Sequence, residues 1–548
     1  MAPDMDLQRI RTRLIDNIRS HKPDSAKALC FLASLDPDGF WPDIDYVSPD
    51  PIHYPGRDHW TRLHAIALAL ETPSLSESAP DALPRMLRSI DYWLKHRFTS
   101  PNWWFNEISI PLAVLDLALL LDHHLEADRL KRLAVVFDQS AIGKTGQNFN
   151  WLATVALKRG VLECDPGRVE IAAAALHSVI VMGEGEGIQT DGSFHQHGAC
   201  LYNVGYGSQF LEDTTLNALL LHGTRFAYAP WHITMLANLL LDGSALMMRG
   251  RAVDPGSAGR GISRANIAVN YDVVARRLLT IGTDRDEDLR VFLLCQAGEE
   301  PVRPRNKMFP RSDFMVHHRP GFYASARGYS ALTINTDWPC NGEGLRSHSM
   351  GEGACFIMRS GAEYHPILPL WDWQHVPGTT VRQDNDYHPD RLRRQGESWF
   401  LGGASDGLHG AMGFRLIRAG LMAHKSWFFL DDRIICLGAG ISDSAPEPVH
   451  TTLEQCRRNG VVLIGNEPRE DVESDVVPCG RVWHNGMAWY VHEGSPLLIR
   501  HGMRRGRWSD INRGQSADEI AAPMLSLWFD HGSCPQDERY AYTVFPEC

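Results

Sequence analysis

No stretch of the chain offers the roughly 18 to 20 uninterrupted apolar residues that a membrane-spanning helix requires; even the apolar-rich run from Ile110 to Leu121 is closed by Asp122-His123-His124. Membrane embedding is therefore not expected. The N-terminal MAPDMDLQRIRTRLIDNIRSH is charged and amphipathic, without the apolar core and small-residue cleavage site of a signal peptide. The expected location is cytoplasmic, or secreted if a leader has been removed. Eleven cysteines occur, an odd number, with no CxxC spacing, and no Asn-x-Ser/Thr acceptor site is present. These absences argue against a disulfide framework and for reduced thiols. A net charge of −12 disfavours a nucleic-acid partner, although whole-chain charge does not decide the field inside a cleft.

At 548 residues the chain is too long for one ordinary core. Up to about residue 300 apolar residues recur at three and four, as in Leu7, Ile10, Leu14 and Ile18, then Leu87, Ile90 and Leu94, then Leu112, Leu115 and Leu119. This is the period of helices, which turn clusters such as 51–55, 74–80 and 165–167 break into antiparallel pairs with no recognisable sequence repeat. The proline- and charge-rich stretch 301–311 reads as a linker. From 312 to 548 short β-rich runs take over: 314–316, 329–334, 354–358, 426–430, 433–437, 460–464, 487–491 and 524–529. Many strands punctuated by glycine turns indicate an antiparallel sandwich.

One stretch, Gly187 to Tyr206, packs two histidines, two tyrosines, an asparagine and an aspartate into a turn-rich run that suits neither helix nor strand. Asp191-Gly192 is a turn signal, and Gly198 and Gly205 loosen the backbone so that His197 and Tyr206, nine residues apart, can converge. Both are proton-transfer groups. Arg249, Arg251, Arg260 and Arg264 follow within sixteen positions, enough for one positive wall, although Arg249 and Arg251 also read as solvated surface charges. His195 and His197 have no Cys, Asp or Glu partner at metal-ligand spacing, so neither a metal nor a cofactor is expected.

Asn102-Trp103-Trp104 with Glu107-Ile108 and Pro111, Thr145-Gly146-Gln147-Asn148, the His197/Tyr206 segment and Gly259-Arg260-Gly261-Ile262-Ser263-Arg264 follow one another in order. Trp371-Asp372-Trp373 with Pro377 to Thr380, Lys425-Ser426-Trp427, Asp431-Asp432 and Thr451 to Glu454 come after them. Together these motifs resemble those of polysaccharide lyase family 8, the hyaluronate, chondroitin AC and xanthan lyases, over nearly the whole chain. The resemblance implies an α+β multidomain fold: an N-terminal incomplete α/α toroid, residues 1–300, followed by a large antiparallel β-sandwich domain, residues 312–548. It also implies β-elimination at the C4–O bond of a uronate in an anionic glycan such as a glycosaminoglycan, leaving an unsaturated uronate.

Such a reaction needs a donor that neutralises the carboxylate, a base for the C5 proton and an acid for the departing oxygen. Asn148 and His197 suit the first role, and Tyr206 suits the other two in turn, since in a β-glucuronate the C5 proton and C4 oxygen lie on one side of the ring. Arg260, supported by Arg264, would favour the phenolate. The resemblance assigns Glu343 to orient this group and Asn102, Trp103 and Trp104 to a substrate-binding aromatic patch; Arg264 and Arg346 are read as further cations for binding the anionic chain. Arg346 stands where relatives often carry asparagine, and Phe149 where many carry arginine. Trp103 and Trp104 could equally anchor a core. A hydrolase using Asp191 with Glu107 or Glu343, or a non-catalytic carbohydrate-binding protein, are the alternatives. A monomer is expected, and the missing leader, the early C-terminal stop and Arg346 point to exolytic action on short chains.

Overall fold

The computed structural model describes residues 4–70, 72–337, 340–384, 394–477 and 480–548. Among these residues the chain is α+β, with 13 α-helices before residue 300 and long antiparallel strands from Arg305 onward. It gathers into two compact units: Met1–Val181 with Asp213–Ile233 and Thr280–Gly282, and Met182–Glu212 with Thr234–Leu279 and Thr283–Cys548.

In the first unit the helix Ile110–Leu120 is apolar almost all round and buries Ile110, Pro111, Val114, Leu115, Leu117, Ala118 and Leu119. A helix of that composition belongs at the centre. Helices Met5–Arg19, Arg57–Ala69, Ala127–Phe137 and Gly146–Leu162 pack on it. Met5–Arg19 buries only Leu7, Ile10, Leu14 and Ile18, the stripe seen in the sequence, and Asp4 caps its N-terminus by accepting from the Asp6 and Leu7 amides. The helices Gly146–Leu162 and Pro166–Ser178 form a hairpin whose second helix is capped by Asp165.

The second unit holds three larger sheets among its described residues, of nine, five and four strands. The nine-stranded sheet runs through Gly410–Arg418, Leu421–Phe429, Ile434–Ser442, Glu538–Phe545 and Met487–Gly494, all paired antiparallel. The five-stranded sheet is centred on Glu519–Ser533 between Pro448–Arg457 and Leu497–Arg507. Alternation sends Leu421, Ala423, Lys425, Trp427 and Phe429 inward from one strand. Trp427, Phe429, Phe414, Trp489, Leu527 and Phe529 join one continuous core; each large side chain so buried contributes about 1.5 to 3 kcal/mol. Lys425 is carried inside by the same period, where Nζ donates to the Gly378 carbonyl and Thr380 Oγ1, and burial pulls it down to about 7.

Local expectations change at several places, the first being the turn cluster 74–80, most of which lies in the short helix Pro73–Ser78. Residues 329–334 form no strand, because the Ser330 amide donates to Thr333 Oγ1 and the Thr333 amide to the Ser330 carbonyl, closing a turn. The stretch 301–311 contains a strand, Arg305–Phe309, paired with Phe314–His318.

Candidate active site

The segment 187–206 lies in the second unit. Gly187–Gln189 and Phe194–His195 pair as a short hairpin, so part of the run does form strand. Asp191 Oδ1 closes its turn by accepting from the Ser193 amide and hydroxyl, with Gly192 at φ 85°. His195 packs this hairpin: its Nε2 lies 2.8 Å from Ser312 Oγ, and burial pushes it down to about 4. His197 then takes φ 60°, in the left-handed region. Tyr206 opens the helix Tyr206–Leu221. The two rings meet edge to face with centroids 4.9 Å apart, and the buried Tyr202 ring stands 5.0 Å from Tyr206.

Arg260 is the hub. Its Nη2 donates to the Tyr206 hydroxyl at 3.4 Å, its Nη1 to Asp337 Oδ2 at 2.8 Å, and its Nε to Glu343 Oε2 at 2.9 Å. Asp337 Oδ1 lies 3.0 Å from His197 Nδ1. Arg264 grips Glu343 from the other side, at 2.8 Å to Oε1 and 2.9 Å to Oε2, and Asn512 Nδ2 approaches Oε1 at 3.4 Å. The arrangement is a fork in which one guanidinium reads two carboxylates and a phenol.

Two glycines let the backbone come this close. Gly344, at φ 67°, would place a Cβ 2.7 Å from Arg260 Cβ, and Gly259, at φ 51°, would place one 2.5 Å from the Tyr202 ring. Neither distance is tolerable, and both angles favour glycine.

Burial works against the Arg260 charge, yet the oxygens of Tyr202, Asp337, Tyr206 and Glu343 hold its pKa above the ordinary value. Burial likewise opposes ionisation of Glu343, but Arg264 and Arg260 together bring it below the usual carboxylate range. For Tyr206 burial wins: its pKa is raised, with Arg260 pulling the other way and Asp337 adding to the rise. Arg260, supported by Arg264, was expected to favour the phenolate, and both do pull in that direction; enclosure of the ring outweighs them.

The four arginines do not make one wall. Arg249 donates to the carbonyls of Arg359, Arg319 and Pro320, and Arg251 pairs with Asp272. Arg346 is exposed at the start of the turn Ser347–Gly351.

The other sequence candidates belong to the first unit. Asn102 orders its own neighbourhood, accepting from the Trp104 amide and donating to the Pro51 carbonyl. The tryptophan pair divides: Trp103 is exposed with Lys144 Nζ 4.5 Å from its ring centre, whereas Trp104 packs edge-on against Phe105 and Trp151. Asn148 sits in the first turn of Gly146–Leu162, buried, with Oδ1 lacking a hydrogen-bond partner among the described residues. Asn150, two residues on, is committed elsewhere: its Nδ2 donates to Gln147 Oε1, and Gln147 Nε2 in turn to Asp213.

Sequence comparison matches residues 15–291 to the polysaccharide lyase family 8 N-terminal alpha-helical domain and residues 304–548 to that family's super-sandwich domain. The chain is 30% identical to a chondroitinase-AC of Pedobacter heparinus over 94% of its own length and 76% of the relative's. The chain belongs to polysaccharide lyase family 8. It is a carbon–oxygen lyase that acts on polysaccharides by β-elimination. A hyaluronate lyase of Thermasporomyces composti is 28% identical over 95% of this chain and 75% of the relative. A solved chondroitinase AC lyase superposes with TM-score 0.94 at 28% identity, covering 99% of this chain and 83% of that one. Among the described residues no helix is long and apolar enough to cross a membrane.

Asp337, Asn512 and Tyr202 were not singled out from sequence. Asp337 stands 140 positions from His197, so no spacing rule links them. Tyr202 lay within the marked segment, but its packing against Gly205 and Gly259 is a property of the fold that the sequence does not display.

Proposed function

We propose that this lyase cleaves the C4–O bond at a β-glucuronate of an anionic glycosaminoglycan, with chondroitin and hyaluronan, the glycans named for its relatives, as the substrate class. His197, Tyr206, Arg260 and Glu343 are the reacting cluster, Asn148 binds the carboxylate, and Asn102, Trp103, Arg264 and Arg346 contact the chain.

The observation that carries the assignment of roles is the edge-to-face pair of His197 and Tyr206 with Arg260 3.4 Å from the phenol. With its ring enclosed and its pKa raised, Tyr206 keeps the role of acid read from sequence, and His197, packed against it, takes the C5 proton in place of the phenolate. Asn148 offers an amide to the carboxylate, and neutralising that charge makes the C5 proton removable. His197 takes the C5 proton, the C5–H electron pair becomes the C4=C5 bond, and the C4–O bond breaks. Tyr206 gives its proton to the departing oxygen. The phenolate that remains faces the Arg260 guanidinium, and the His197 imidazolium beside it returns the proton. Both groups are then as they began.

A hydrolase would need two carboxylates at the bond. Asp191 is spent on Ser193 and the Arg311 amide, and Glu343 on two arginines.

The test is chondroitin against the same polymer with its uronate carboxyls reduced to alcohols. Wild-type enzyme should release a conjugated enoate, seen by ultraviolet absorbance, from the first and none from the second. Equal cleavage of both would overturn the carboxylate-dependent route.

A further inference from the structure

We infer that Asp337 is a positioning residue that sets the proton on His197 and ties that ring to Arg260. The inference rests on the reading of His197 as the base. Asp337 is fully buried, and each of its carboxylate oxygens meets one member of the cluster: Oδ1 lies 3.0 Å from His197 Nδ1 and Oδ2 2.8 Å from Arg260 Nη1. An ionised carboxylate only accepts hydrogen bonds. The contact with Nδ1 is therefore a donated N–H, and a lone pair on Nδ1 would face a buried negative oxygen at 3.0 Å. Arg260 Nη1 also approaches Nδ1 at 3.0 Å, but its shorter contact is with Asp337 Oδ2, where a cation meets an anion.

With the proton on Nδ1, the neutral ring presents Nε2 as its acceptor, as a base for the C5 proton requires. When Nε2 gains that proton the ring becomes a cation, and Asp337 stands ready to balance it without moving. His197 holds this contact from a left-handed backbone, φ 60°. Asp337 touches no reacting atom: it acts through His197 and, by the shared carboxylate, keeps Arg260 in register with Tyr206.

The experiment begins with the wild-type protein labelled with ¹⁵N-histidine, the His197 resonances identified by their loss in His197→Gln. The expected signature is a protonated Nδ1. Asp337→Asn, which preserves volume, should lower kcat by about 10²- to 10⁴-fold with KM nearly unchanged, as when a base histidine is left in the wrong tautomer, and should move the proton from Nδ1 to Nε2. Asp337→Glu should recover part of the lost kcat. An unprotonated Nδ1 in the wild type, which needs no variant to fold, overturns the inference. So does an Asp337→Asn enzyme with wild-type kcat while His197→Ala has lost its activity. If His197→Ala itself turns over normally, the assignment of His197 as base fails, and the inference with it.

Discussion

Glu343 and Glu454 are glutamates of the same unit, both largely removed from water, and they hold opposite charge states. Glu343, gripped by Arg260 and Arg264, is ionised, its pKa below the ordinary value despite burial. Glu454 accepts from the Tyr364 hydroxyl, at 3.0 and 3.2 Å, and from the Gln455 amide, and burial, with the Glu363 charge adding to it, raises it to about 8. The difference teaches where the chain keeps charge. Loops that converge from distant parts of the sequence bring arginines to the site, so carboxylates there stay charged and can orient a guanidinium. Inside the five-stranded sheet Glu454 meets a hydroxyl and an amide instead, so it is neutral and serves packing. Lys425, brought down to about 7 inside the sandwich, obeys the same rule with the opposite sign.

The largest effect should come from the charged region. Tyr206→Phe removes one hydroxyl from an otherwise intact cluster and should lower kcat by about 10³-fold or more while thermal unfolding stays near wild type. Asn148→Ala and His197→Ala should each cost about 10² to 10³ in kcat with smaller changes in KM, checked by steady-state enoate release; an effect confined to KM would remove the residue from the reacting cluster. Glu343→Gln keeps the shape but drops the charge that orients Arg260, and should cost about 10- to 100-fold in kcat.

The pH dependence sharpens the contrast further. A Tyr206 acid with a raised pKa keeps its proton through the alkaline range, so kcat/KM should stay flat between about pH 8 and about pH 9.5. A tenfold rise per pH unit there would instead mark the phenolate as the base. The smallest effect belongs to the neutral region. Glu454 binds its proton more tightly folded than unfolded, so its contribution to stability is full below the ordinary carboxylate pKa and is lost as pH rises towards about 8. Glu454→Gln should remove that decline, measured as Tm against pH across the window; an unchanged slope would mean that Glu454 is not the proton-linked group.

Much of this was legible in the sequence. The stripe Leu7, Ile10, Leu14 and Ile18 is the buried face of its helix, because period reports burial directly, and most of the β-rich run 426–430 falls on the strand Leu421–Phe429. His197, Tyr206, Arg260 and Glu343 were marked by motif and do meet. Asp337 was not, because a buried carboxylate becomes a partner of His197 only when chain 140 residues away folds back. Nor could sequence give the protonation of Tyr206, since the neighbouring Arg260 is visible in the motif while the enclosure that outweighs it is not. Residues 329–334 failed as a strand for a local reason: Ser330 and Thr333 offer the backbone a turn.

Elimination by this cluster is tested most directly by counting two products in one reaction of the wild-type enzyme with chondroitin: conjugated enoates by ultraviolet absorbance and new reducing ends by colorimetry. One enoate should appear for every reducing end throughout the time course, with both absent in Tyr206→Phe. Reducing ends that accumulate without matching absorbance, or a Tyr206→Phe enzyme that produces both at the wild-type rate, would contradict it.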